Sequence, residues 1–331
     1  MPKLLKSADF GRQALCSSAI LAMLAGCGAS QPSNGTPGAI PPRAATVGHT
    51  PHDKSWMLPA AKSSALLYYS DGYANVYVLS YPQGKLVGTL EGFDGPQGVC
   101  SDSAGNVFVT VTNTENVIEY AHGGTQPIAT LGDYGYYPLG CAVDPVTGNL
   151  AVANVVAFNG SAGTVAIYTG ARGKPVDYSA TGFYGYRWCA YDGSGNLFVE
   201  AMALSPRHES GNEGLTEMPY GQQSFTRISL NATGEGLQWD GRYLALVNPT
   251  SKVVYRIAVT GSAGTVVGTV NFTGLLTALG NDFEMQGHTI VMPYATQNSV
   301  NRIGLWNYPK GGILRRRLHK VDGLQAITLS Y

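Results

Sequence analysis

Side chains with obvious catalytic potential are few and scattered in this sequence of 331 residues. It has 6 His, and it contains no Cys-x-x-Cys pair, no Gly-x-Ser-x-Gly turn, no phosphate-binding Walker loop and no His-Glu-x-x-His motif. A catalytic or zinc site built on His therefore has little support. The residues favour a binding protein over an enzyme.

Aromatic side chains offer a different chemistry, because several of them fall in neighbouring segments that are predicted to be loops. Rings exposed together provide apolar area, and each Tyr adds a polar hydroxyl. We expect a binding surface at Phe93, Tyr134, Tyr136, Tyr137, Phe183, Tyr184 and Tyr186. The alternative is that these rings pack as core between sheets.

A polar insertion at residues 201–213 is predicted to lie on the same face as those loops. Its Arg207 and His208, together with Glu209 and Glu213, are candidate ligand contacts. The alternative is a solvated loop without a binding role, because insertions are tolerated at such places.

The composition indicates which elements must position these residues. Only 13% of residues are charged, whereas Gly (43) and Tyr (20) are abundant, and this balance favours β-structure. The hydrophobic content of 44% is ample for a buried core. With 21 basic and 21 acidic residues the net charge is zero, so nothing attracts a nucleic acid.

One phrase recurs along the chain: a short apolar strand, an Asp, a turn containing Gly-Asn, and a second apolar strand. Its clearest copies are residues 97–109, 139–152 and 187–199, and weaker copies begin near Gly236 and Asn281. Gly and Asn between β-rich runs mark hairpins. Two further short strands follow each copy, and the period of about 40–50 residues is that of a propeller blade.

The first unit lacks an inner strand, and the C-terminus supplies a matching one. Residues 322–329 resemble residues 97–100, whereas residues 65–70 already occupy the second position. We therefore predict an all-β, six-bladed β-propeller over residues 62–331, closed by a C-terminal strand that completes the first blade and removes a free sheet edge. Seven blades, with strands hidden in residues 202–214, or a β-sandwich are the alternatives.

The repeat resembles the NHL-repeat and SMP-30/gluconolactonase-like group of six-bladed propellers. Enzymes of that group hold a divalent cation with oxygen ligands at the channel mouth, so the resemblance implies a metal-dependent lactonase-like or lyase-like hydrolase as an alternative function. Candidate ligands are Asp71, Asn113, Asn154, Glu200, Asn248, Asp282 and Glu284.

Those candidate ligands do not recur at one repeat position, and we expect no cofactor apart from this divalent cation. Their alternative role is to cap strands and turns. Of the set, Asp282, Glu284, Asn154 and Glu200 are kept as weak metal candidates. The recurring Asp102, Asp144 and Asp192 are predicted to form turns instead.

Three of the five cysteines lie in the predicted propeller: Cys100, Cys141 and Cys189. Their odd number leaves at least one free or paired between chains. Cys141 and Cys189 occupy the same repeat position in neighbouring blades, so their side chains point the same way and a disulfide between them is not expected. We predict that all three are small buried apolar side chains.

The N-terminus carries an export signal, with Lys3, Lys6 and Arg12 before a short apolar stretch. Leu24-Ala25-Gly26-Cys27 then resembles the bacterial lipobox. The resemblance implies a lipoprotein signal peptide at residues 1–26 and acyl chains on Cys27, which anchor the protein in a membrane. An ordinary secretory signal is the alternative.

Residues 27–61 are rich in Pro, Gly and Ser and are predicted to be a flexible tether. Gly28 after the lipidated Cys27 favours the outer membrane, in a periplasmic or cell-surface location. We expect a monomer in the cell envelope that binds a protein, peptide or glycan through its aromatic loops. An envelope scaffold without a ligand is a further alternative.

Overall fold

The computed structural model describes residues 54–203, 213–274, 276–296, 301–320 and 323–331. The predicted signal peptide, the lipid-attachment residue Cys27 and most of the tether lie outside these residues, as do Arg207 and His208. No helix in the described part of the chain has the length and apolar character that a membrane span requires.

The first sheet contains strands from both ends of the described chain. Its strands are β1 (Trp56–Met57), β2 (Leu66–Ser70), β3 (Asn75–Ser80) and β4 (Leu86–Glu91), and the last strand of the chain, Ile327–Ser330, pairs antiparallel with β2. That pairing matches the prediction. Because β1 pairs with β4, the folded part begins before residue 61, where the tether was predicted to end.

Three further antiparallel sheets follow, each built from four consecutive strands. The second sheet contains β5 (Pro96–Ser101), β6 (Val107–Val111), β7 (Asn116–Tyr120) and β8 (Pro127–Gly132). The third contains β9 (Tyr136–Val143), β10 (Leu150–Ala157), β11 (Val165–Tyr168) and β12 (Val176–Tyr178). The fourth contains β13 (Phe183–Tyr191), β14 (Leu197–Ala203), β15 (Glu213–Met218) and β16 (Thr226–Ile228).

The remaining strands form two units that share an edge. The fifth unit contains β17 (Leu237–Trp239), β18 (Leu244–Asn248), β19 (Val253–Thr260) and β20 (Ala263–Thr273). The sixth contains β21 (Leu276–Leu279), β22 (Glu284–Gln286), β23 (Thr289–Thr296), β24 (Arg302–Asn307) and β25 (Gly311–Lys320), with β21 and β22 both paired to β23. A short parallel contact between β20 and β25 joins the two units. The last strand of the chain is β26.

Short 3-10 helices supply the only helical turns among the described residues. They are Pro59–Ser63, Thr112–Thr114 and Thr169–Ala171. The first precedes β2, and its Ala61 is buried in the core beside the first and second sheets. The described structure is therefore all-β, as predicted from the composition.

A repeated Asp closes the hairpin between the first two strands of a sheet. Asp102 accepts the Asn106 backbone N–H at 2.8 Å and its side-chain N–H at 2.8 Å. Asp192 accepts the same two groups of Asn196 at 2.9 and 2.7 Å, and Asp144 accepts a backbone N–H in the equivalent turn. A carboxylate with several acceptor positions can satisfy a whole turn. The prediction that these residues form turns is confirmed.

Apolar clusters fill the spaces between neighbouring sheets. Successive side chains of a strand point to opposite faces, so Leu66 and Tyr68 of β2 pack toward the second sheet, whereas Leu67 and Tyr69 pack toward the sixth. Four more clusters lie between consecutive sheets, from the second to the sixth. Each sheet is thus buried on both faces. Complete burial of one Leu side chain stabilises the fold by roughly 2 kcal/mol.

The last strand, β26, bonds to three sheets. It pairs with β2 in the first. In the second, the Ser101 hydroxyl donates to the Leu329 carbonyl at 2.6 Å. In the sixth, Asp282 accepts the Ile327 N–H at 2.8 Å and Glu284 accepts the Thr328 hydroxyl at 2.9 Å. These bonds attach β26, which belongs to the first sheet, to the second sheet and to the sixth unit as well.

Cys100 and Cys141 form a disulfide between the second and third sheets, with Cα atoms 5.8 Å apart. The prediction that both are unpaired apolar side chains is therefore wrong. Cys100 lies two residues before the turn-forming Asp102, but Cys141 lies three residues before Asp144. Because strand side chains alternate, this offset of one residue turns the two sulfur atoms toward each other.

Cys189 shares the strand position of Cys141 and is buried and free. Its thiol donates to the Ala151 carbonyl at 3.8 Å in the third sheet. Ala142, not a second cysteine, stands among its neighbours there. The prediction of a small buried side chain is confirmed for this residue.

Candidate functional site

Loop segments at one end of the strands in the first four sheets form what we call the loop arc. The arc consists of residues 71–75, 92–95, 112–115, 133–137, 158–164 and 179–184. Each segment joins the second strand of a sheet to the third, or one sheet to the next. Because the strands are antiparallel, every second connection along the chain lies at the same end of the strands, and all of these segments are such connections.

Backbone hydrogen bonds join the loops of the first and second sheets. The Gly95 N–H donates to the Tyr73 carbonyl at 3.0 Å, and the Thr112 N–H donates to the Gly95 carbonyl at 3.0 Å. The Asn113 side-chain N–H also donates to the Asp94 carboxylate at 2.8 Å. One part of the arc is therefore continuous across two sheets.

The arc continues across the third sheet to the fourth. The Gly135 N–H donates to the Glu115 carboxylate at 2.8 Å, and the Phe158 N–H donates to the Gly135 carbonyl at 2.7 Å. The Gly163 N–H donates to the Tyr184 carbonyl at 2.8 Å. Gly135 has a φ of 92°, a left-handed conformation that favours glycine at this junction. The loops are thus fixed relative to one another.

Exposed aromatic rings stand on this fixed backbone. Tyr134 is 80% exposed and Phe158 is 62% exposed. The Tyr137 ring stacks on Phe158 with centroids 5.5 Å apart. Tyr73 is 73% exposed at the other end of the arc. Exposed rings supported from below offer apolar contact area to a partner.

Three of the aromatic residues predicted for the surface are buried instead. Phe93, Phe183 and Tyr186 are 5%, 4% and 0% exposed. Phe93 packs beside Tyr120, with centroids 6.0 Å apart, and the Tyr186 hydroxyl accepts the Ala180 N–H. These rings point down into the gaps between sheets, where burial stabilises them. Their assignment to an exposed surface was wrong.

Tyr136, Tyr137 and Tyr184 are half-buried at the base of the arc. The Tyr184 hydroxyl donates to the Gly160 carbonyl and so ties the fourth sheet to the loop that carries Phe158. These residues lie in the same series of loops as Tyr134. The structure leaves their binding role a prediction.

Phe158 and Tyr73 are the arc residues that sequence reasoning missed. Phe158 ends the apolar run 155–158, so it reads as strand, and Tyr73 lies in a loop of the first sheet. The Asn159-Gly160 pair after Phe158 is a turn signal that could have placed it in a loop.

Carboxylates accompany the rings. Glu115 bonds to Gly135, which directly follows Tyr134, and Asp94 bonds to the neighbouring Asn113. Asp133 is buried below them, and its Oδ1 lies 3.4 Å from the Asn154 side-chain nitrogen. Burial raises the pKa of Asp133 to about 7. The carboxylates that reach the surface of the arc are therefore Glu115 and Asp94.

The four weak metal candidates are engaged in different parts of the structure. Asp282 and Glu284 accept hydrogen bonds from β26. Glu200 accepts the Gly236 N–H at 2.9 Å, whereas Asn154 bonds to Asp133 and Thr164. Among the described residues, no group of three or more His, Cys, Asp or Glu is placed to hold a metal ion. A divalent cation at these residues stays a prediction that their placement does not support.

Clefts in the described structure lie between neighbouring sheets. A cleft of about 540 Å³ separates the sixth and first sheets and is lined by Tyr81, Arg315 and Arg316. Another, of about 400 Å³, separates the fourth and fifth sheets beside Glu200. Neither of these two clefts is lined by Tyr73, Tyr134 or Phe158.

Comparison with known proteins supports the fold. No protein-family model and no curated protein matches the chain. The chain is similar to a solved protein of unknown function from Bacteroides caccae, with 12% identity, a TM-score of 0.60 and coverage of 81% of this chain and 99% of that one. It is similar to the same extent to a chain in a nidogen/laminin complex, with 12% identity, a TM-score of 0.60 and the same coverage of 81% and 99%.

The fold is of the β-propeller type. Sheets of four antiparallel strands and the similarity to the nidogen/laminin structure agree on this point. An identity of 12% supports a shared fold but not a shared function, because one fold hosts many functions. What the chain does must therefore be argued from the arc itself.

Proposed function

We propose that this chain is a lipid-anchored, extracytoplasmic β-propeller that binds a protein, peptide or glycan through the loop arc. The observation that carries the proposal is the exposure of Tyr134 and Phe158 on one hydrogen-bonded loop surface. Aromatic residues are enriched at the centres of binding surfaces, because one ring removes a large apolar area from water.

The rigidity of the arc favours binding. Ordering a loop on association costs free energy, and that cost is lower when the loop is already fixed in the unbound protein. The bonds through Gly135 and the stack of Tyr137 on Phe158 hold the rings before a partner arrives. A fold of this type also occurs in a nidogen/laminin complex, which is an assembly of proteins.

Binding arrays test this proposal with a matched control. The full chain, solubilised in detergent, is applied to glycan and peptide arrays beside its Tyr134→Ala/Phe158→Ala variant. Tyr220→Ala is the control, since Tyr220 is 55% exposed in a loop at the other end of the strands from the loop arc. We expect the parent and Tyr220→Ala to share a set of bound probes that the double variant loses. Identical profiles for all three proteins would refute binding at the arc.

The proposed architecture is a ring of six four-stranded blades in which β26 completes the first blade. Support comes from the apolar clusters, which link each sheet to the next and the sixth to the first. Removing residues 323–331 would expose the edge of β2. We expect the shortened chain to associate or aggregate in light scattering, and a stable monomer of it would contradict a closed ring.

The proposed anchor rests on the lipobox-like segment that ends at Cys27. Acyl chains on Cys27 would keep the protein with membranes during fractionation. We expect Cys27→Ala to prevent acylation, measured by the mass of the N-terminal peptide. The same acylated peptide in both proteins would exclude Cys27 as the attachment site.

A further inference from the structure

We infer that the loop arc recognises a cationic segment of a partner protein, one that presents Arg or Lys side chains to Tyr134 and Phe158. The inference rests on the proposed function and narrows it to one class of ligand. Its basis is the negative charge of the arc and the contacts that Arg side chains make with aromatic rings elsewhere in this chain.

Charge is distributed unevenly between the arc and the rest of the chain. The whole chain has 21 basic and 21 acidic residues, but the segments of the arc contain Asp71, Asp94, Glu115 and Asp133 and no Lys or Arg. Asp71 and Asp133 are both buried, and Asp71 also accepts several hydrogen bonds within its own turn. Asp94 and Glu115 remain to face a partner, and their field attracts cations.

The negative charge is adjacent to the exposed rings. Glu115 accepts a hydrogen bond from Gly135, the residue after Tyr134, and the Gly135 carbonyl in turn accepts the Phe158 N–H. One carboxylate and two open rings thus share a single loop junction. A guanidinium or ammonium group can lie over a ring face while it pairs with a carboxylate.

The chain itself shows this arrangement in the fifth and sixth units. There Arg256 lies 4.7 Å from the ring centroid of Tyr243 and 5.8 Å from that of Tyr308, and it bonds to Asp240 at 2.6 Å. In the fourth sheet, Arg227 lies 5.2 Å above the buried Phe183. The arc has the rings and the carboxylates of such a site but has no basic residue in its own segments. A partner would supply the cation.

A neutral glycan would use these rings without using the carboxylates. The charge of the ligand therefore separates the two classes. An exposed cation–π contact and an exposed ion pair each make a modest contribution of similar size to affinity. Together they predict that a cationic probe binds roughly tenfold more tightly than a neutral probe of the same shape.

Three labelled peptides test the inference by fluorescence anisotropy. They share a Gly-Ser backbone and carry arginine, citrulline or glutamate at the same positions; citrulline has the shape of arginine without its charge. The proteins are the full chain in detergent, the ring variant Tyr134→Ala/Phe158→Ala, the charge variant Asp94→Asn/Glu115→Gln, and the control Tyr220→Ala. Both charge substitutions keep an oxygen acceptor for the bonds from Asn113 and Gly135.

We expect the arginine peptide to bind about tenfold more tightly than the citrulline peptide, and the glutamate peptide to bind least. The ring variant should lose the arginine peptide. The charge variant should keep only part of the preference for arginine over citrulline, because its rings remain and its ion pair is lost. Tyr220→Ala should behave as the parent. Higher salt should weaken the arginine complex, because exposed charges are screened.

Other outcomes overturn the inference in distinguishable ways. Equal affinity for arginine and citrulline, lost together in the ring variant, would reject the cationic ligand but keep binding at the arc. Arginine binding that survives in the ring variant would show attraction by charge alone and would reject seating on the rings. No effect of the ring variant on any peptide or on either array would reject the inference and the proposed function together.

Discussion

Asp133 and Asp240 have similar surroundings and opposite electrostatics. Each is a carboxylate buried beside a Tyr hydroxyl, Tyr168 for Asp133 and Tyr308 for Asp240. Burial alone would raise both pKa values, and it raises that of Asp133 to about 7. Hydrogen bonds from Arg256 and Tyr308 outweigh burial at Asp240 and lower its pKa. Asp240 also accepts the backbone N–H groups of Arg242 and Tyr243, whereas Asp133 lies near the carboxylates of Asp177 and Glu115, which raise its pKa further. The guanidinium of Arg256 is thus one of several differences that separate the two pKa values.

The aromatic rings of the two regions differ in the same way. The guanidinium of Arg256 covers Tyr243 and Tyr308 between the fifth and sixth units, whereas Tyr134 and Phe158 stand open to solvent. The first region is complete by itself and serves as a structural joint. The second has exposed rings and carboxylates and no basic residue in its own segments, which fits the proposed binding role.

A disulfide links the sheets that carry the arc, whereas the region around Asp240 contains the ion pair between Arg256 and Asp240. The Cys100–Cys141 disulfide closes a loop of 41 residues between the two sheets that carry Glu115 and Phe158. Constraint of the unfolded chain by a loop of this length is worth about 4 kcal/mol. We expect Cys100→Ala/Cys141→Ala to lower the free energy of unfolding by about that amount in urea titration.

Cys189→Ala is the matched control for the disulfide, because it removes a buried sulfur without breaking a cross-link. It should cost less than the double variant. If both proteins unfolded at the same urea concentration, the disulfide would not be what holds these sheets.

The pH dependence of stability separates the two carboxylates. The pKa of Asp133 is raised in the folded protein from 3.8 to about 7. Its contribution is therefore complete below about pH 4 and is lost as the pH rises through about 7. Asp133→Asn cannot ionise, so it should gain stability relative to the parent as the pH rises from 4 to 8, on the order of 4 kcal/mol at pH 8.

Asp240→Asn provides the opposite sign for comparison. Its folded pKa is lowered, so its contribution is present above the unfolded pKa and is lost at lower pH. Thermal unfolding of both variants and the parent from pH 3 to pH 8 measures the two slopes. Slopes of the same sign would show that Arg256 does not distinguish the sites.

The sequence was informative wherever a repeat or a local turn determines structure. The recurrent Asp and Gly-Asn predicted the hairpins at Asp102, Asp144 and Asp192, because the bonds involved join residues at most four positions apart. The similarity of residues 322–329 to residues 97–100 likewise predicted the pairing of the last strand with β2.

Side-chain direction was the part that the sequence could not supply. A one-residue offset between Cys100 and Cys141 decided the disulfide, and it becomes visible only when the strands are aligned on Asp102 and Asp144. For loop rings no periodicity indicates direction. Phe93 is buried in the core and Tyr134 is exposed to solvent, although both lie in loops that join one sheet to the next.

The ion pair of the joint should matter less than the disulfide and the buried charge. In Arg256→Ala the buried Asp240 side chain loses its cation and two rings lose their cover, while Tyr308 still donates to the carboxylate. The Arg256 side chain is 23% exposed, so we expect a loss of about 2 kcal/mol, below that of a fully buried pair. Arg256→Lys keeps the charge and should lose less; an equal loss would mean that geometry outweighs charge.

The smallest effect on stability is expected at the arc, and it is the most informative about function. Tyr134 and Phe158 are mostly exposed, so replacing each with Ala should change the free energy of unfolding by about half a kcal/mol. Tyr308→Ala, which removes a buried ring from the joint, should cost several times more. Urea titration of the three variants measures the contrast. A large cost at Tyr134 or Phe158 would mean that these rings hold the fold, and their exposure would then need no partner to explain it.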